Sequence, residues 1–142
     1  IARRSTEDFS QAAKEKNIDL AVEGDGDCEI LCDPKWLQEA IGNMIKNCLE
    51  YTSPGGKVTV GTEQTPVMVT IRVSDTGTGI HPDDLPYVFR RFYRGRASSG
   101  PGSGIGLSLA KSIVEQMGGT LTAGGEYGRG AVFTLSFLKD VM

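Results

Sequence analysis

The sequence predicts an α+β fold in two layers, with three main helices packed on one face of a mixed, mostly antiparallel sheet. Two observations predict it. Candidate elements run α, ββ, α, ββ, an irregular stretch, α, ββ, so strands pair with their sequence neighbours instead of alternating singly with helices. Turn-forming glycines and prolines also punctuate the chain between the strand candidates. A length of 142 residues fits one domain, able to bury roughly 68–70% of its unfolded surface.

Residues 6–16 read as a short helix capped by Thr6, with Glu7 and Asp8 in its first turn. Ile18–Val22 and Cys28–Cys32 are short strand candidates. The turn signal Gly24-Asp25-Gly26-Asp27 between them predicts a hairpin. Asp33 then suits an N-cap and Pro34 the first helical position. Leu37, Ile41, Met44, Ile45 and Cys48 form one apolar helical face, and Ser53-Pro54-Gly55-Gly56 ends the helix. Lys57–Glu63 alternates as a strand, and Val67–Ser74 is rich in β-branched residues. Pro82–Val88 reads as a short helix and Arg90–Gly102 as a loop. A longer helix runs from about Ile105 to Met117, stopped by Gly118-Gly119. Thr120–Ala123 and Ala131–Phe137 close the sheet, with Gly124-Gly125 and Gly128-Arg129-Gly130 as turn residues between them.

Apolar residues make up 39% and charged residues 23%, a globular balance that excludes a largely disordered chain. No stretch approaches the ~18 apolar residues of a membrane span, and no leader pattern is present. The net charge of −3 argues against a generally basic nucleic-acid binder. Glycine is the outlier, at 19 residues, eleven of them from Gly95 onward. Cys28, Cys32 and Cys48 are odd in number and are expected as reduced thiols. No second Cys/His pair follows the C-x3-C spacing, and His81 is the sole histidine, which argues against a four-ligand zinc site.

Four features carry chemistry. Along the helix at 34–52, Glu39, Asn43, Asn47 and Glu50 fall within an arc of roughly 80° beside the apolar stripe. Amide oxygens one turn apart suit a hard cation such as Mg²⁺; the same pair also fits a solvated polar flank. Asp75-Thr76-Gly77-Thr78-Gly79-Ile80 follows a strand directly. Its aspartate can accept a hydrogen bond from a ligand amine, and its glycines let backbone approach closely; an ordinary turn would read alike. In Phe89-Arg90-Arg91-Phe92-Tyr93-Arg94-Gly95-Arg96, four arginines suit phosphate oxygens or form a solvated loop, with the phenylalanines in the core. Gly100-Pro101-Gly102-Ser103-Gly104-Ile105-Gly106-Leu107 leads into a helix N-terminus, which favours an anion or serves as a hinge. It is neither a Walker A sequence nor a dinucleotide fingerprint.

Taken in order, these features resemble the ATP-binding catalytic domain of sensor histidine kinases. That domain has the Bergerat fold and belongs with gyrase-type and chaperone-type ATPases. The likeness runs from about Phe9 to Phe137, with Asn43–Thr52 resembling the N box, Asp75–Ile80 the G1 box, Phe89–Arg94 the F box and Gly102–Leu107 the G2 box. The resemblance implies that Asn47 binds the Mg²⁺ bridging the phosphates of ATP, with Asn43 assisting. It implies that Asp75 accepts the adenine amino group, that Gly77, Gly79 and Ile80 shape the base pocket, and that Tyr51 packs near the nucleoside. Arg91 and Arg94 would approach the phosphates, and Gly102, Gly104, Ile105, Gly106 and Leu107 would form the backbone cradle around them. Asn43, Arg91 and Arg94 are the implied catalytic residues.

The implied activity is transfer of the γ-phosphoryl group to a histidine on a separate dimerisation domain, in two-component signalling with a response regulator. Residues 1–142 would be a single ATP-binding domain without that phosphoacceptor segment. The fragment is expected to be a monomer, cytoplasmic, from a membrane-anchored sensor that dimerises when full-length. The alternatives are a gyrase- or chaperone-type ATP hydrolase and a nucleotide-binding module that has lost turnover. Hydrolytic relatives carry a glutamate where Asn43 stands. Two departures from the family pattern are Glu50, where a basic residue is common, and Arg90, where an acid is common. His81, between the G1 box and Pro82, is expected at the surface and not as the acceptor.

Overall fold

The computed structural model describes residues 2–24, 34–90 and 106–138. Its elements are helix α1 (Ala2–Glu15), strand β1 (Asp19–Gly24), helix α2 (Pro34–Tyr51), strands β2 (Lys57–Gln64) and β3 (Met68–Asp75), a 3-10 turn at Leu85–Tyr87, helix α3 (Gly106–Gln116), and strands β4 (Thr120–Glu126) and β5 (Gly130–Leu138). The five strands form one sheet in the order β1-β2-β3-β5-β4. β1 and β2 are parallel, and the other three pairings are antiparallel. The predicted two-layer architecture is therefore present, with its mixed and mostly antiparallel sheet.

Alternation along the strands sets the core. Val58 and Val60 of β2, Val69, Ile71 and Val73 of β3, and Phe133, Leu135 and Phe137 of β5 turn inward. Against them α2 lays Leu37, Ile41, Met44, Ile45 and Cys48, all fully buried. Burying each of the larger aliphatic side chains contributes about 1.5–3 kcal/mol. Ala110, Ile113 and Val114 of α3 complete the helical layer. No helix among the described residues is long and apolar enough to cross a membrane.

Several boundaries differ from the sequence expectation. α1 begins at Ala2, so Thr6 lies inside the helix and is buried. Good helix formers at Ala2, Arg3 and Arg4 extend the helix past the apparent cap. β1 is shifted to Asp19–Gly24, and its partner among the described residues is β2, in parallel across α2. The expected hairpin partner, 28–32, lies outside the described residues. Pro82–Val88 is a turn followed by a single 3-10 turn, not a helix. Pro86 lacks an N–H and its ring opposes continuation of an α-helix. Gly124 and Gly125 belong to β4, where they pair with Val132 and Ala131, and the turn is confined to residues 127–129. The cross-strand ladder there outweighs the turn preference of the glycine pair.

Candidate functional site

The site begins where β3 ends. Asp75 is the inward position that follows Val69, Ile71 and Val73, so the register that buries those side chains also buries a carboxylate, 9% exposed. A carboxylate there requires donors. Asp75 Oδ1 accepts N–H bonds from Gly77, at 2.9 Å, and from Ala131, at 3.1 Å. Two backbone donors on one oxygen fix the orientation of the carboxylate. Cys48, buried on α2, lies beside it. Burial pushes the Cys48 thiol well above its ordinary pKa, and the charge and hydrogen bonding of Asp75 push the same way. The thiol therefore stays protonated, a poor nucleophile and a donor toward Asp75.

The loop after Asp75 is held on both sides. Thr78 N–H donates to Tyr51 O at 3.4 Å, and Thr78 O accepts from Gly128 N–H at 2.7 Å. One wall is thus the last turn of α2 and the other is the β4–β5 turn. Gly77 has no room for a side chain, because a Cβ there would fall on the Tyr51 carbonyl oxygen and 3.2 Å from Asp75 Oδ1. Gly79 and Ile80 are half-buried, Gly79 backing onto the β4–β5 turn and Ile80 packing on the core. His81 is tied down and only half-exposed. Its Nδ1 accepts from Asp83 N–H at 3.0 Å, and its ring meets Tyr127 edge-on at 4.9 Å.

The other end of the site lies two turns back along α2. Asn43 and Asn47 are half-buried beside the apolar stripe, while Glu39 is exposed. Asn43 Nδ2 is buried without a hydrogen-bond partner among the described residues. Gly106, the first residue of α3, faces it: a Cβ there would stand 3.7 Å from Asn43 Oδ1. An amide donor with no partner among the described residues and the start of a helix thus converge, an arrangement that fits an anionic oxygen. Asn47, one turn on, offers an amide oxygen of the kind Mg²⁺ accepts alongside phosphate and water. No cluster of three or more His, Cys, Asp or Glu occurs among the described residues. From Asn43 to Tyr51 the helix rises about 12 Å, which suits an extended nucleotide with its base at one end and its phosphates at the other.

The structure thus gathers Asn43, Asn47 and Gly106 at one end, and Tyr51, Asp75, Gly77, Gly79 and Ile80 at the other. Leu107 is half-buried against the core. Arg91, Arg94, Gly102, Gly104 and Ile105 lie outside the described residues. Phe89 packs edge-on against Phe133 at 6.4 Å, under Lys111 Nζ at 4.8 Å, and so serves the core. Arg90 stacks over Tyr87, 4.5 Å from the ring centroid. Sequence reasoning missed the donor from Ala131 and treated Gly128-Arg129-Gly130 as a turn only. The signal available was a glycine immediately before an alternating strand, since a Cβ at Gly130 would collide with the Asp75 carbonyl oxygen.

Residues 32–141 match the family described as histidine kinase-, DNA gyrase B-, and HSP90-like ATPase. The chain is similar to sensor histidine kinase CusS of Escherichia coli O157:H7, 39% identical over 116 residues, covering 80% of this chain and 24% of that protein. It is similar to the adaptive-response sensory kinase SasA of Synechococcus elongatus, 35% identical over 136 residues, covering 94% of this chain and 35% of that protein. The mycobacterial sensor histidine kinase MprB superposes with a TM-score of 0.85 at 27% identity, covering 99% of this chain and 95% of that one. Full-length ShkA in complex with AMPPNP gives a TM-score of 0.85 at 29% identity, covering 99% of this chain and 30% of that one. The chain spans about a quarter of the length of the CusS kinases it matches. It belongs to the histidine kinase-, DNA gyrase B-, and HSP90-like ATPase family.

Gly77→Ala tests the close approach of loop and helix. The added methyl has backbone on one side and Asp75 on the other, so the loop must shift. The variant should unfold at lower urea by about 1–3 kcal/mol, and the amide resonances of Thr76–Ile80 should move. Unchanged stability and unchanged resonances would show that the approach is looser than described.

Proposed function

We propose that this member of the family is the nucleotide-binding catalytic domain of a sensor histidine kinase, binding ATP with Mg²⁺ and presenting its γ-phosphoryl group to a histidine on a separate segment. The observation that carries the reading is the pairing of two unlike ends on one helix. At one, a buried and oriented carboxylate suits the amino group of adenine. At the other, the Asn43 Nδ2 donor, without a partner among the described residues, and the start of α3 suit phosphate oxygens. The family match and the AMPPNP complex of ShkA support it.

In this reading Asp75 accepts from the adenine amino group with the oxygen not held by Gly77 and Ala131. Asn43 donates to a phosphate oxygen, and Asn47 holds the Mg²⁺, which supplies charge neutralisation on the phosphates. Gly106 and Leu107 offer N–H groups from the α3 terminus, and Gly102, Gly104 and Ile105 extend that cradle. Arg91 and Arg94 add positive charge, and Tyr51 lines the nucleoside. The acceptor imidazole nitrogen attacks the γ-phosphorus in line as the bond to the bridging oxygen breaks, leaving ADP. Catalysis is then positioning and electrostatics. An asparagine amide is no base, so Asn43 does not activate water and ATP hydrolysis is slow. The phosphoacceptor domain and a response regulator are the proposed partners, and the cytosol the proposed location.

Three outcomes check this. Asn47→Ala should remove most of the Mg²⁺ enhancement of nucleotide affinity, and equal enhancement in both proteins would sink the metal assignment. Asp75→Asn replaces a charged acceptor by an amide whose N–H₂ opposes the adenine amine. Losing such a bond costs about 1.5–3 kcal/mol, so ATP affinity should fall about tenfold or more, and the wild type should discriminate against GTP. Equal binding of ATP and GTP counts against Asp75 as the base-reading group. Finally, the chain incubated alone with labelled ATP and Mg²⁺ should form no phosphohistidine, because His81 is pinned at the base end by Asp83 and Tyr127. Label that appears on the isolated chain and vanishes in His81→Gln would overturn the two-part mechanism.

A further inference from the structure

The last four carbonyls of a helix have no partner within it, and α2 ends next to the base pocket with no basic residue in its last turn. All four find partners from outside the backbone ladder. Cys48 O accepts from Thr52 Oγ1 at 2.7 Å. Leu49 O and Glu50 O both accept from Lys16 Nζ, at 2.5 and 3.0 Å. Tyr51 O accepts from Thr78 N–H. Lys16 comes from a separate element. It follows α1 directly, in a turn closed by Ile18 N–H donating to Ala13 O at 2.9 Å, with Asn17 in the left-handed region at φ 60°. Gly55 N–H donates to Asn17 O at 2.7 Å, which binds the same turn to the chain leaving α2.

We infer that Lys16 is a positioning residue for base recognition: its ammonium clamps the C-terminal turn of α2 so that the Tyr51 carbonyl holds the Gly77–Thr78 loop, and through it Asp75, in the binding arrangement. The deduction rests on the proposed nucleotide reading. Two carbonyls at the negative end of a helix form a charge-assisted site for a cation. Without that cation, Leu49 O and Glu50 O must turn toward water, and the next carbonyl in the turn is the one that carries the loop. Gly77 lies too close to Tyr51 O for the loop to follow a displaced carbonyl without moving its own N–H off Asp75 Oδ1. Lys16 Nζ is bonded to the Leu49 and Glu50 carbonyls, so its effect on the ligand is assigned to this relay.

The test compares Lys16→Met, which keeps the apolar stem and removes the donors, with Lys16→Gln, which keeps one neutral donor group, and Lys16→Arg, which keeps the charge. Titrating ATP, ADP and AMP, affinity should fall about five- to tenfold for all three nucleotides in Lys16→Met and less in Lys16→Gln. Lys16→Arg should restore most of it, and the Mg²⁺ enhancement should stay as in wild type. Amide exchange should speed up at Thr78 and Gly77 relative to amides in the centre of β5. Wild-type affinity in Lys16→Met, or exchange that rises equally in loop and β5, would overturn the inference. The exchange comparison needs no ligand, so it still decides on the clamp if the wild type binds none of the nucleotides, the result that would overturn the functional reading itself. If Lys16→Met does not fold, the same comparison in Lys16→Gln decides.

Discussion

A carboxylate at the inner end of a strand governs this structure. The alternation that buries Val69, Ile71 and Val73 leaves no choice about where Asp75 points. Once it is inside, its negative charge must be met by donors, because an unpaired buried charge is among the costliest features a core can hold. The structure meets it with backbone N–H groups from two directions, Gly77 from its own loop and Ala131 from β5. Those bonds in turn require glycines at 77 and 130, where Tyr51 and Asp75 backbone atoms leave no room for a Cβ. One inward-facing acid therefore dictates the composition of two loops and their approach to the end of α2.

Helix α2 then joins this constraint to the opposite end of the site. Its buried stripe, Leu37 to Cys48, is continuous packing against the sheet. The amide flank beside the stripe is held in place by the same packing. A rigid helix so anchored keeps a fixed distance between Asn43 and Tyr51, and a ligand that spans them is measured against that distance. This is a form of preorganisation: the polar groups are placed by the core before any ligand arrives.

Much of this was legible in the sequence, for identifiable reasons. Leu37, Ile41, Met44, Ile45 and Cys48 of α2 were readable because helical periodicity and burial coincide there, and the β3 and β5 strands because β-branched and aromatic residues alternate. The places of Asp75 at a strand end and of the two asparagines on a helix flank were readable because those elements were, while the roles expected of them came from the family resemblance. Single-residue signals failed where flanking propensity or longer-range hydrogen bonding decided. Thr6 has a cap's chemistry, yet the helix runs through it. Gly124-Gly125 has a turn's chemistry, yet it pairs with β5. The parallel pairing of β1 with β2 was hidden because it crosses α2. The contacts of Lys16 and Ala131 with the site were hidden for a similar reason: each joins residues more than thirty positions apart, beyond any periodic pattern.

The placement of these long-range bonds says where the molecule must be rigid. Asp75 is braced by β5, the loop after it by the β4–β5 turn and by α2, and the end of α2 by Lys16. None of these braces comes from the Asn43 end of the site. There Asn43 Nδ2 is buried with no partner among the described residues and faces the first residue of α3. On the proposed nucleotide reading, a site built this way would fix the base first and leave the end at Asn43 to be completed by a ligand that supplies acceptors. In a phosphoryl-transfer enzyme that order is useful. The end proposed to select the nucleotide need not move, while the end proposed to admit an acceptor from another segment would be stabilised by the substrate's own charge. On the proposed nucleotide reading, the buried acid at the end of β3 would therefore do more than meet a base: by anchoring one end, it would make the chemistry at the other end a question of positioning.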